Sequence, residues 1–246
     1  MPPGKENEKV SSSDFLPTQW SVVLEAQRTQ PQRAQAALER LCSLYWYPLY
    51  AFIRRRGHDR EDAEDLTQSF FAHLLGKDAL SRVDRSKGLF RTFLLASLVN
   101  FLNDERDRQQ AAKRGGGKQI FSWDELDAEE RYQHEPAGTI TPEKLFERRW
   151  ALTLIDQVML RLRREYEAGG KQELFDQLEP CLTGQVSPGF YDEAATRLKM
   201  NAGAVRVALH RLRRRLGELL RSEIAHTVTR PEEVEAEIRY LFAALA

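Results

Sequence analysis

Cysteine is scarce in this 246-residue sequence: Cys42 and Cys181 stand far apart, with no CxxC pair. A disulfide framework and a structural zinc site built on paired thiolates are thereby excluded. The five histidines are scattered, and neither HExxH nor GxSxG occurs, so the zinc-protease and serine-hydrolase signatures are missing. The glycine-rich run Arg114-Gly115-Gly116-Gly117-Lys118 is no phosphate loop. Ala112 stands where the first glycine belongs, and Gln119 replaces the hydroxyl residue that holds magnesium. The reading is therefore a non-enzyme with no catalytic residue, no metal site and no cofactor. No apolar run reaches the roughly 18 residues of a membrane span, and the N-terminus lacks an apolar signal core. The expectation is a cytoplasmic chain without membrane insertion. Alternating Val/Ile/Thr stretches are nearly absent as well, which leaves an all-α chain.

Apolar residues make up 41% of the sequence and charged residues 30%, enough of the former to build packed cores. Lys+Arg and Asp+Glu balance at 37 each, but the balance hides two blocks of opposite sign. From Arg197 to Arg221 there are eight Lys/Arg against one acid, Glu218. From Ser122 to Glu147 there are eight acids against Arg131 and Lys144. Such asymmetry suits two different partners, or one partner with two surfaces.

Residues 1–17 are polar and Ser-rich and read as a disordered tail. Thr18 suits the N-cap of a helix carrying Trp20, Val23 and Leu24. A second helix is expected from Gln32 to Arg56, ended by Gly57, and a third from Asp59 to Leu75, ended by Gly76. A fourth, from Gly88 to Ala112, runs into the glycine break. Residues 115–140 are acidic and aperiodic and read as a flexible linker. Thr141-Pro142 opens a long helix that Gly169-Gly170 closes. Further helices are expected over Glu173–Leu182, Phe190–Leu198, Ala202–Ile224 and Pro231–Leu245. The division is a helical domain over 18–114, the linker, a second helical domain over 141–226, and an extension helix over 227–246.

The pair Phe190–Leu198 and Ala202–Ile224, joined by Lys199-Met200-Asn201, has helix-turn-helix proportions. Val205, Leu209, Leu212, Leu216 and Leu219 form one apolar stripe. Arg206, His210 and Arg213 recur on an adjacent face, with Arg211, Arg214 and Arg215 beside them. A helix of this size fits the major groove, its early residues reading base edges and later arginines holding phosphate. An ordinary solvated basic face gives the same run, but interleaved acids are missing here. In the N-terminal half, Glu61, Asp65 and Gln68 share a face suited to a basic protein partner, or simply to water. Asn100, Asn103 and Arg106 share helical spacing near Phe90, Phe93 and Phe101. Amides, arginines and rings together suit unstacked single-stranded bases, although phenylalanines at this spacing equally suit a core.

These segments together resemble a bacterial extracytoplasmic-function (ECF) sigma factor of the sigma-70 family. Ala63-Glu64-Asp65-Leu66-Thr67-Gln68-Ser69-Phe70-Phe71 is similar to the family's AED-x-x-Q-x-x-F motif. That similarity implies that Glu61, Asp65 and Gln68 meet the β′ clamp helices of core RNA polymerase. Phe90-Arg91-Thr92-Phe93-Leu94, with Val99-Asn100 and Asp104, resembles the F-x-T-W-L…N…D stretch that melts and reads the −10 promoter element, implying roles for Phe90, Thr92, Asn100, Asn103 and Arg106. Asp192-Glu193-Ala194-Ala195, Gly203-Ala204-Val205 and Leu209-His210-Arg211-Leu212-Arg213 resemble the stretch that reads the −35 element. The implied −35 residues are Arg206, His210, Arg211, Arg213 and Arg214, and the implied second polymerase contact is the β flap. Phe93 replaces the family tryptophan, and Asp107 stands where an arginine commonly follows Asp104. The run through Tyr45-Trp46-Tyr47-Pro48-Leu49-Tyr50 looks like a subgroup of planctomycete- and verrucomicrobia-type genomes. An anti-sigma factor or other regulator is a further implied partner. Two rivals share these residues: a helix-turn-helix regulator acting without polymerase, and a polymerase-binding adaptor that reads no promoter.

Overall fold

The computed structural model of the chain describes residues 31–75, 89–111, 125–135, 140–182, 184, 186–228 and 230–245. The tail over 1–17, the helix expected from Thr18, the stop at Gly76 and the glycine break after Ala112 lie outside the described residues. The described residues form nine α-helices and two 3₁₀ turns, with no strand among them. In chain order the helices are α1 (Pro31–Arg55), α2 (Arg60–Leu75), α3 (Phe90–Ala111), α4 (Glu125–Gln133), α5 (Pro142–Ala168), α6 (Gln172–Leu178), α7 (Phe190–Leu198), α8 (Ala202–Ala225) and α9 (Val234–Leu245). The all-α expectation holds among these residues, and the helix bounds fall within a few residues of the sequence reading.

Local chemistry sets the boundaries. Gly57 ends α1 with φ at 97°, a left-handed conformation that costs a side-chain-free residue nothing. Asp59 then accepts the Asp62 amide at 2.8 Å, satisfying a donor at the start of α2. Thr141 caps α5 by accepting from the Lys144 amide, with Pro142 at the first helical position. Asn201 does the same for α8, its Oδ1 taking the Ala204 amide at 2.7 Å.

α5 is the spine. It has 27 residues, a rod of about 40 Å. Its buried side chains, among them Phe146, Trp150, Leu154, Val158 and Leu162, recur every three to four positions. α1 packs along α5 more extensively than any other pair, α8 packs on α5 as well, and α9 lies against both α5 and α8. α2 joins α1 and α3, while α6 packs on α5 and α7, and α7 packs on α8. Tyr45, Tyr50, Phe52, Phe70, Phe90, Phe146, Trp150 and Phe175 are wholly buried in one continuous apolar cluster.

The acidic segment departs from the linker reading, because residues 125–133 form α4 and pack against α1. It docks through Ala128, Tyr132 and a set of charges, too few apolar residues to show a period. Arg54 holds the Glu129 carboxylate through two bonds, at 3.0 and 2.8 Å, and the Tyr50 hydroxyl donates to the same group. Just beyond α4, Glu135 accepts from Tyr47 at 2.8 Å and pairs with Arg149 of α5. Burial alone would push the Glu129 carboxyl up, but Arg54 and Tyr50 outweigh it and hold it below its ordinary value.

Candidate polymerase and nucleic-acid interface

Three helix faces carry the residues singled out from the sequence. On α2, Ala63, Thr67, Phe70 and Leu74 turn inward. Glu61 and Asp65 are consequently exposed and Gln68 half-buried along one outer strip. The neighbouring acids are occupied locally: Asp59 caps the helix and Glu64 pairs with Arg60 at 2.7 Å. Among the described residues no group of three potential ligands could hold a metal ion.

On α3, Phe90, Leu94, Leu98, Phe101 and Leu102 are buried and fix the rotation of the helix. Thr92, Ala96, Asn100, Asn103 and Arg106 are all exposed. At about 100° per residue they fall within an arc of about 120°. The fold thus brings Thr92, Asn100, Asn103 and Arg106 onto one solvent-facing stripe. Phe90 does not join them. It is 0% exposed, its ring edge-on to Tyr45 at 5.5 Å and tilted against Phe93 at 6.2 Å. An aromatic ring on the inner face of an amphipathic helix packs before it stacks on bases, so Phe90 braces the stripe from below.

On α8 the apolar stripe is buried as expected: Val205, Leu209, Leu212 and Leu219 face the core, and Leu216 is half-buried. The turn before it is tight. Lys199 adopts φ 54°, and the Met200 amide reaches back to the Ala195 carbonyl at 2.9 Å, closing α7. Ala194 and Ala195, both buried, let α7 approach α8 closely. Arg206, His210, Arg211, Arg213 and Arg214 are exposed, but the fold uses them differently. Arg206 lies 4.9 Å over the Tyr191 ring, pinning α7 to α8. Arg213 donates to the carbonyls of Cys181 and Gly184 at 2.6 and 3.0 Å. Arg214 pairs with Glu218 at 3.0 Å, where both groups reach solvent and the pair is weak. Arg215 makes two 2.8 Å bonds to Glu165 of α5 and holds that carboxyl below its ordinary value. Lys171, Arg211, Arg214 and Arg215 line a hollow of about 420 Å³ together with Glu165 and Tyr166.

Two features escaped the sequence reading. Val207 is 50% exposed and sits within the basic face, with Arg206 and His210 to one side, Arg211 to the other, and Arg214 two turns on, nearly in line with it. Its signal was present, since it falls off the apolar stripe of its own helix. The other is the buried pair of Arg91 on α3 and Glu237 on α9, whose partners no spacing rule connects.

No helix among the described residues is long and apolar enough to cross a membrane. No curated protein and no solved structure is significantly similar to the chain. The family description Sigma-70 region 2 matches residues 45–112, a span that starts within α1 and contains α2 and α3, with the exposed acidic strip and the amide stripe. Over residues 45–112 the chain is therefore similar to sigma-70 region 2, a domain of the sigma factors that direct RNA polymerase to promoters.

Proposed function

We propose that the chain is an ECF-type sigma factor of the planctomycete/verrucomicrobia-like subgroup, with residues 18–114 acting as sigma domain 2 and 141–226 as sigma domain 4. In this reading Glu61, Asp65 and Gln68 bind the β′ clamp helices of core polymerase. The α3 stripe of Thr92, Asn100, Asn103 and Arg106 takes the opened −10 strand. Amides read base edges there and Arg106 neutralises phosphate. Arg206, His210, Arg211 and Arg214 of α8 engage the −35 duplex in the major groove, with Arg213 holding the helix in place and the domain meeting the β flap. Val207 adds an apolar contact suited to a thymine methyl group.

The observation that carries the reading is the coincidence of the region 2 match with two outward-facing strips on consecutive helices, one acidic and one amide-rich. Run-off transcription with purified core polymerase and genomic DNA tests it. Specific start sites are expected. Tight promoter binding by the free chain without polymerase would favour a helix-turn-helix regulator, and polymerase binding without transcripts would favour an adaptor. An anti-sigma factor or other regulator belongs to the same reading and is testable by co-purification.

A further inference from the structure

Arg91 precedes Thr92 at the start of the α3 stripe, yet it is only 5% exposed. Its guanidinium lies 4.8 Å from the Trp150 ring of α5 and 4.2 Å from the Tyr240 ring of α9. Nη1 pairs with the carboxylate of Glu237, itself 3% exposed on α9. Burial pulls the Arg91 guanidinium down from its ordinary value, while the nearby Tyr240 and Tyr45 hydroxyls and the Glu147 carboxylate of α5 act the other way. An arginine stays charged when buried and requires an anion beside it. The guanidinium fork that grips a carboxylate grips a phosphate equally well.

The surroundings favour exchange of one anion for the other. Thr92 borders a cleft of about 510 Å³ whose other walls include Glu147, Glu233, Glu237 and Tyr240. With α9 docked, the entrance to the stripe is rimmed by acids, and its nearest cation is already bound. α9 has 12 residues, too few to hold a helix alone in water. Beyond the Arg91 node α9 packs on α5 and α8 through Leu241 and the half-buried Val234, Ile238, Ala244 and Leu245, with an exposed Arg221–Glu235 pair beside them.

We infer that α9 is an internal competitor for nucleic acid: Glu237 occupies Arg91 where a backbone phosphate would, and release of α9 makes Arg91 a further contact at the start of the α3 stripe. This deepens the proposed role of α3 and rests on it. The carboxylate stands in for phosphate while α9 is docked, so the free chain binds an opened strand weakly. Whatever draws α9 away adds a cation and removes an acidic rim at once.

The test uses the full-length chain without polymerase and a fluorescent, mixed-sequence single-stranded oligodeoxynucleotide, titrated over a range of salt. Docking of α9 is followed in parallel by hydrogen exchange of the Val234–Leu245 amides. For Glu237→Gln, faster exchange in α9 is expected, with affinity raised about tenfold and a salt slope steeper by about 0.7, the value of one added phosphate contact on a single strand. Adding Arg91→Gln to that variant should return affinity and slope to those of the unaltered chain. Tyr240→Ala leaves both charges in place and should move every readout the same way, which covers a Glu237→Gln chain that folds poorly. Faster exchange with unchanged affinity, or a gain that survives Arg91→Gln, overturns the competitor role alone. Absence of binding by every variant likewise overturns the competitor role alone, because the −10 role of α3 is read by run-off transcription with polymerase present.

Discussion

The guanidinium of Arg213 closes on the main-chain carbonyl of Cys181, with Nη2 at 2.6 Å and Nε at 3.2 Å. Helix ends leave carbonyls without partners, and Cys181 ends the 3₁₀ turn that follows α6. One arginine of the basic face is thus a brace between the turn and α8. Arg213→Ala should cost about 1–3 kcal/mol of stability in urea unfolding and leave the salt slope of −35 binding nearly unchanged. Arg211→Ala should do the reverse, preserving stability and lowering the slope by about 1. A salt-slope loss for Arg213→Ala as large as that for Arg211→Ala would reassign Arg213 to the DNA.

Val207 gives a sharper test of the same helix. Once the holoenzyme's −35 sequence is obtained by selection, each thymine can be replaced by deoxyuracil, which removes the methyl group alone. At the contacted thymine the change should weaken binding by about 1 kcal/mol. The loss should vanish in Val207→Ala, a coupling that a double-mutant cycle reads directly. Independent effects at every thymine would rule out the methyl contact.

Asp65→Ala and Gln68→Ala should each weaken capture by core polymerase while circular dichroism and the melting temperature stay as they were. Asp65 is exposed, and neither residue belongs to the apolar core. Retained polymerase capture with both residues replaced would remove α2 from the interface.

The Arg54–Glu129 pair predicts a pH dependence. The folded Glu129 carboxyl lies below its ordinary value of 4.5, so protonating it favours the unfolded chain. The stability it contributes is complete above about pH 4.5 and is lost as pH falls through the lower, folded value. Glu129→Gln should therefore cost about 1–3 kcal/mol near neutrality, and its melting curve should converge on that of the unaltered chain in acid. Parallel curves down to the lowest pH would mean that the pair is not coupled to folding.

Removing the α8 cap offers a local control. Asn201→Ala should destabilise the chain by about 1 kcal/mol, with faster hydrogen exchange confined to the first turn of α8. Exchange that rose across α7 and α8 together would show instead that the turn and both helices open as one unit.

The period of apolar residues in α1, α2, α3, α5 and α8 sufficed to place those helices, because each buries a stripe whose spacing is set by 3.6 residues per turn. The caps at Asp59, Thr141 and Asn201 were legible for the same local reason. α4 was not, since its hold on α1 runs through Glu129 and Arg54, charges that look solvated in sequence and become partners only across 75 positions. Phe90 shows the converse. A phenylalanine near two asparagines suits a stacking platform, and only the rotation of α3 against Tyr45 decides that its ring faces the core.

The order of residues along the chain was enough to specify the all-helical character of the described residues, the turn between α7 and α8, the basic character of α8 and the acidic strip of α2, because each depends on neighbours within one or two helical turns. Tertiary structure alone decided that Arg213 braces while Arg211 faces solvent, that the acidic segment folds back on α1, and that Glu237 meets Arg91. Those outcomes depend on which distant group stands within hydrogen-bond reach, and a charge carries no mark of its partner until the core has set the helices in place.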